Sequence, residues 1–192
     1  MKVLIRPCAD TNRKTVSCPR NIMGNMSDYT AFFRKLGKNE REGCQILFED
    51  SQPQEQLQPA VSALYDGAYR FSKDALRALE SSQIYRQRDA LSDYGEGEFI
   101  FILPDCGQAQ QDGVRQGAMQ GICRGHARTL GNLPNNYLHT EDLAAYAVSL
   151  SGELGISCQV LRERELQEMG CGGILAVSRG NPSKAAMAVL RY

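Results

Sequence analysis

The sequence predicts an α/β protein in two globular parts joined by a long helix, and three observations carry that reading. "EFIFILPD" places five consecutive apolar residues between Glu98 and Pro104. A run so uniformly apolar suits a strand covered on both faces, hence a central and parallel one. Gly113, Gly117, Gly121 and Gly125 recur at every fourth position, which aligns them on one ridge of a single helix. "GNLPNNYLHTEDLAAYA", Gly131 to Ala147, stops one segment with Pro134 and an Asn pair and starts another with Thr140 and two acids. The expected division is residues 1–107 as an N-terminal α/β unit, 108–131 as a connecting helix, and 132–192 as the start of a second α/β domain.

In the first part, "KVLI" reads as a strand and "SDYTAFFRKLG" as a short helix, with Ser27 as its N-cap and Gly37 just past its end. "CQILFED" is a second strand. Leu57, Val61, Leu64, Ala68 and Phe71 stand at three-and-four spacing, which predicts an amphipathic helix from Gln58 to Phe71. The segment "SSQIYRQRDALSDYGEGE" is polar and expected to be exposed.

The connecting helix carries its glycines at a cost of about 1 kcal/mol each relative to Ala. Their alignment implies close approach of a neighbouring sheet or helix. Arg115, Gln116, Gln120, Arg124 and Arg128 make the helix too polar for the membrane version of such a ridge. Val114, Ala118, Ile122 and Leu130 form an adjoining apolar stripe, interrupted by His126.

In the last part, Thr140 reads as an N-cap followed by Glu141 and Asp142, where acids complement the helix dipole. Leu143, Ala147, Leu150 and Leu154 supply the expected buried stripe, and Gly155 the end. "ISCQVL" alternates as a strand, and "ERELQEMG" is a short helix stopped by Gly170. "GILAVS" and "AAMAVLRY" read as two further strands, so that a parallel sheet is expected. Three strands and two helices would leave a face or edge bare, as in the opening of a domain.

Composition narrows the function classes. Lys plus Arg and Asp plus Glu number 22 each. A chain of zero net charge has no global field for nucleic acid or anionic lipid. Arg86, Arg88, Arg124 and Arg128 are scattered among acids and glutamines and read as a solvated face. Seven cysteines, none closer than ten residues to the next, exclude paired-cysteine zinc or redox motifs and point to free thiols in a reducing cytoplasm. "MKVLIRPCAD" is too short in apolar residues for a signal peptide, and "FIFIL" too short to span a membrane.

No motif assembles an active site. "GCGG" at 170–173 follows a helix and precedes an expected strand, the reverse of a phosphate loop. His126 and His139, thirteen residues apart, form no two-histidine zinc motif; His126 reads as a hydrogen-bonded packing residue rather than a base. Cys171 between glycines has no activating partner in sequence. Asp89, Asp93, Glu163 and Glu165 read as surface charges. The catalytic, metal-binding and cofactor-binding residues assigned from these 192 positions are therefore none.

From Ala127 to Tyr192 the chain resembles the start of the catalytic domain of the leucyl aminopeptidase (cytosol aminopeptidase) family. Ala127, Arg128, Leu130, Asn132, Pro134 and Asn136 follow that family's "AR-x-L-x-N-x-P-x-N" entry. Leu138, Leu143, Glu165, Leu166, Gly170, Gly172, Leu175, Ala176, Val177, Gly180, Leu190 and Tyr192 continue the pattern in order. Upstream, "DGAYRF" at Asp66 to Phe71 is similar to the family's "G-x-Y-R-F". The resemblance implies a small macro-domain-like N-terminal unit, a connecting helix and the first part of an αβα-sandwich metallopeptidase domain. It also implies hydrolysis of N-terminal residues from peptides with two divalent metal ions, zinc or manganese, in a cytoplasmic hexamer.

Two departures stand out. Residues 1–60 are shorter and more divergent than the family's usual N-terminal domain. The segments that hold the metals in the family, "G-K-G-x-x-F-D-S-G-G" and "N-T-D-A-E-G-R", do not occur here. The expectation is an N-terminal portion that binds no metal and is inactive alone. The rival readings are a partner- or DNA-binding accessory module derived from the family and a free-standing nucleotide-binding domain.

Overall fold

The computed structural model describes residues 1–78, 88–181 and 184–192. The chain separates into two compact units, one of residues 1–72 with 90–131 and the other of 73–89 with 132–192.

In the first unit, β1 (Lys2–Arg6), β2 (Thr15–Ser17), α1 (Met26–Asn39), β3 (Gln45–Leu47) and α2 (Gln54–Ala68) follow in order, with a 3-10 turn at Arg20–Ile22 before α1. A short strand β4 (Arg70–Phe71) closes this stretch; α3 (Lys73–Ala78) and α4 (Arg88–Leu91) lie beyond it. They are followed by β5 (Ser92–Asp93), antiparallel to β4, then β6 (Glu98–Ile102) and α5 (Gln108–Asn132).

The main sheet runs β1-β6-β3-β2, parallel throughout. As its apolar run requires, β6 is central, with Phe99 to Leu103 almost fully buried. Phe101 lies 5.7 Å from Phe33 and 5.3 Å from Phe48, ring centre to ring centre, so helix α1 is fixed to the sheet by aromatic packing. Gln45 is wholly buried in β3 and is satisfied by exchanging hydrogen bonds with the backbone of Asp10 at 2.6 and 2.7 Å.

Several expectations are corrected here. Asn25, not Ser27, caps α1, its side chain accepting from the Ser27 amide at 3.0 Å. Gly37 lies inside that helix, because a side chain there would meet the Leu64 carbonyl of α2; Gly67 faces the Arg34 carbonyl in return. The two glycines allow α1 and α2 to cross backbone to backbone. Leu57, Val61, Leu64 and Ala68 are buried on α2 as its spacing requires, but Phe71 has left the helix for β4. Of the segment expected to be exposed, 81–87 lies outside the described residues, whereas Leu91 is fully buried and Tyr94 packs on the core. Polar neighbours hid two anchoring residues.

The glycine ridge of α5 does what its alignment implies. All four glycines are buried, and side chains there would strike Gln54, Gln58 and Val61, Tyr65, and Tyr94 in turn. The first three contacts ascend α2 as the glycines ascend α5, so the two helices run side by side in one direction. Arg124 and Arg128 extend the seam rather than forming a solvated face. Arg124 reaches the Asp66 carboxylate at 3.3 Å and the Ser62 hydroxyl. Arg128 donates to the Asp66 carbonyl at 3.0 Å and lies 4.1 Å above the Tyr69 ring.

The second unit contains α6 (Thr140–Leu154), β7 (Ser157–Arg162), α7 (Glu163–Glu168), α8 (Gly172–Ser178) and β8 (Ala186–Arg191). His139 is the N-cap residue of α6 and Thr140 its first helical residue, while Gly155 ends it at φ +66°. The buried positions are Ala144, Ala147 and Ser151; Leu143 and Leu154 are exposed. "GILAVS" is helical, not a strand. A short apolar run is ambiguous by pattern alone, and Leu175 of α8 packs on Leu161 and Leu166. With that strand gone, β7 and β8 pair antiparallel from Ser157↔Arg191 to Arg162↔Ala186, not parallel as expected.

Candidate functional site

The end of the restart, Thr140 to Ala147, forms one wall of an open groove on the second unit. Pro134 turns the chain, its carbonyl accepting from the amides of Tyr137 at 2.8 Å and Leu138 at 3.1 Å. The His139 amide then donates to the Asp142 carboxylate at 2.9 Å, which fixes the entry to α6. Glu141 of the first turn pairs with Arg162 at the end of β7. Helix and hairpin are thereby held together, with an apolar groove of about 280 Å³ between Leu143, Ala147 and Leu150 of α6 and Ala186, Ala188 and Leu190 of β8.

Thr140 and Leu143 also border a second cleft of about 670 Å³, lined by Asn135, Asn136, His139, Val177 and Asn181 among others. Apart from Thr140 and Tyr146 the groove is lined by aliphatic side chains, and it presents no acid, base or thiol, so its chemistry is mainly burial of apolar surface. The cleft offers amides and one imidazole. Among the described residues no three His, Cys, Asp or Glu side chains gather as a metal centre would require.

The residues singled out from sequence are not brought together. His126 lies half-buried on α5 and His139 begins α6. Cys171 is half-buried and packs against Leu161 and Leu166, rather than standing open between its glycines. Gly170, at φ +70°, ends α7, and Gly172 opens α8; "GCGG" thus joins two helices. Asp93 accepts from Arg41 at 2.6 Å, Glu165 accepts from the Arg162 amide at 2.6 Å, and Glu163 pairs with Lys184 at 3.7 Å. All seven cysteines are free. Burial pushes the Cys18 and Cys44 thiols up to about 11, which makes both poor nucleophiles at neutral pH. The sequence predicted a bare face or edge in this part of the chain but not its place, because Leu143 read as a core residue; exposure depends on what covers it.

Comparison with known proteins gives the family. Residues 125–192 match the family model described as "Cytosol aminopeptidase family, catalytic domain". The chain is similar to a probable cytosol aminopeptidase of Bacillus subtilis (strain 168), 32% identical over 83% of this chain and 31% of that protein. One from Chlorobium limicola is 32% identical over 69% of this chain and 26% of the relative. One from Stutzerimonas stutzeri is 30% identical over 94% of this chain and 33% of the relative.

The chain thus spans about a third of the length of the curated relatives it matches. Among solved structures it is similar in fold to the bottromycin maturation enzyme BotP in complex with Mn, with TM-score 0.61 and 21% identity over 85% of this chain and 33% of that one. A second BotP structure gives TM-score 0.60 and 19% identity. The ordered motifs from Ala127 onward, the family match from 125 and the shared fold agree: the chain belongs to the cytosol aminopeptidase family and corresponds to the N-terminal portion of its members.

Proposed function

We propose that this chain supplies the N-terminal portion of a leucyl-type metalloaminopeptidase, which removes N-terminal residues from peptides in the cytoplasm, and that the 192 residues alone are inactive. The observation that carries the reading is the match of 125–192 to a catalytic domain, on a unit that leaves an apolar helix-and-strand face open. In this reading residues 132–192 begin the catalytic domain, and polypeptide beyond these 192 residues covers that face. Hexameric assembly and the two metal ions belong to the complete protein.

The residues present do not fit such ions. The groove is apolar, the neighbouring cleft offers a single imidazole, and the described residues gather no ligand cluster. Incubation of the chain with a leucine chromogenic substrate and manganese is expected to give no release above a protein-free control. Metal-dependent turnover that scales with chain concentration would overturn the claim of inactivity.

A further inference from the structure

On the first unit three helices bring three arginines and one aspartate to a single cleft. Arg34 of α1, Asp66 of α2, and Arg124 and Arg128 of α5 line, with Ala127, an open cleft of about 510 Å³. Arg124 is held by the Asp66 carboxylate and the Ser62 hydroxyl. Arg128 is held by the Asp66 carbonyl and by the face of Tyr69. These contacts explain two of the arginines as a seam between α2 and α5. They leave Arg34 unexplained: it is exposed and makes no hydrogen bond or ion pair with any described residue.

Positive charge therefore exceeds negative charge in a concave surface, on a chain whose net charge is zero. The excess is local. Two of its three cations are already fixed in position, which lowers the ordering cost of binding an anion. A guanidinium presents several donors in a planar fork that matches phosphate oxygens, and neither Arg124 nor Arg128 uses its full set. The volume lies in the range of small-molecule sites.

We propose that this cleft binds a small compound carrying two or more phosphate-type oxyanions, such as a pyrophosphate group. Arg34 and Arg128 contact the oxyanions, and Arg124, held by Asp66, sets their position. The site lies on the unit that carries the parallel sheet and is independent of the peptidase reading.

Calorimetric titration of the full chain with inorganic pyrophosphate, at low ionic strength and without divalent cations, tests it. Saturable one-site binding is expected, with an accompanying rise in melting temperature. Arg34→Gln should weaken binding at least tenfold without changing the melting temperature of the free protein, since that side chain holds no described residue. Arg20→Gln, an exposed arginine paired with Glu49, should bind as the unaltered chain does. Absence of saturable binding, or binding unchanged in Arg34→Gln, would overturn the proposal. So would binding of a twelve-residue oligonucleotide with none of pyrophosphate, because the recognised group would then be a polymer.

Discussion

Helices α2 and α6 are each 15 residues long, yet α2 buries nine residues and α6 three. Both carry an apolar stripe at helical spacing. The difference lies in their surroundings. The sheet side, α1 and α5 all close on α2, with glycines at the two helix contacts that bring backbone against backbone or side chain. Among the described residues helix α6 packs mainly on the β7–β8 hairpin, and its Leu143 and Leu154 stay 48% and 60% exposed. Single exposed apolar residues are ordinary, but Leu143 and Leu190 share one groove, and contiguous apolar surface marks a face that meets something. Amphipathic pattern thus states which face seeks burial, while the partner decides whether it is buried.

Glycine substitutions give the sharpest way to break this contrast. Gly67→Ala puts a methyl group into the Arg34 carbonyl, and Gly117→Ala puts one against the Gln58 carbonyl and Val61. Backbone cannot yield as a side-chain tip can, so each change should lower stability by about 3 kcal/mol, the upper part of the range for overpacked cores. Urea unfolding followed by circular dichroism would measure it. If either variant matched the parent, the closed packing of the first unit would be wrong.

Alkaline pH should act on the same unit, with a somewhat smaller effect per residue. In the unfolded chain the Cys18 and Cys44 thiols ionise near the ordinary value of 9.0, while in the fold burial holds them neutral up to about 11. Above pH 9 the unfolded state loses protons first and gains relative to the native one. Stability is therefore full below pH 9 and falls through pH 11, by on the order of 2 kcal/mol per thiol. Cys44→Ala should flatten the decline, read from melting temperatures between pH 8 and 11. A decline as steep as the parent's would show that Cys44 is not the group responsible.

How much was legible follows from where each signal originates. The central place of β6 and the glycine seam of α5 were readable, because a doubly buried strand and a side-chain-free ridge each have one physical explanation. Strand β2 was not seen, since three residues carry no period. "GILAVS" was misread because four apolar residues fit a strand or a short helix equally, and the packing of Leu175 on Leu161 and Leu166 decided between them. The roles of Arg124 and Arg128 were hidden for a related reason: their partners Asp66 and Tyr69 lie some sixty residues away in sequence. For the candidate site, motif order from Ala127 gave the family. A bare face or edge was expected there, but the residues that line the groove could not be read, because sequence reports hydrophobicity but not coverage.

The smallest effects sharpen the comparison from the other side. Gly152 lies within α6 with nothing inside 4 Å of where a side chain would begin. Gly152→Ala should therefore stabilise the chain by about 1 kcal/mol, the helix-propensity difference alone, where Gly67→Ala does the opposite. Leu190→Ser, on the rim of the groove at 43% exposure, should change stability by no more than about 0.5 kcal/mol, as surface substitutions do. The same variant should reduce the fluorescence of a hydrophobic dye bound to the native chain. Loss of stability with unchanged dye binding would mean that the face is packed, and that α6 resembles α2 after all. Reduced dye binding at constant stability fits a surface shaped for a partner, because in such a surface the apolar side chains contribute to the fold only when something covers them.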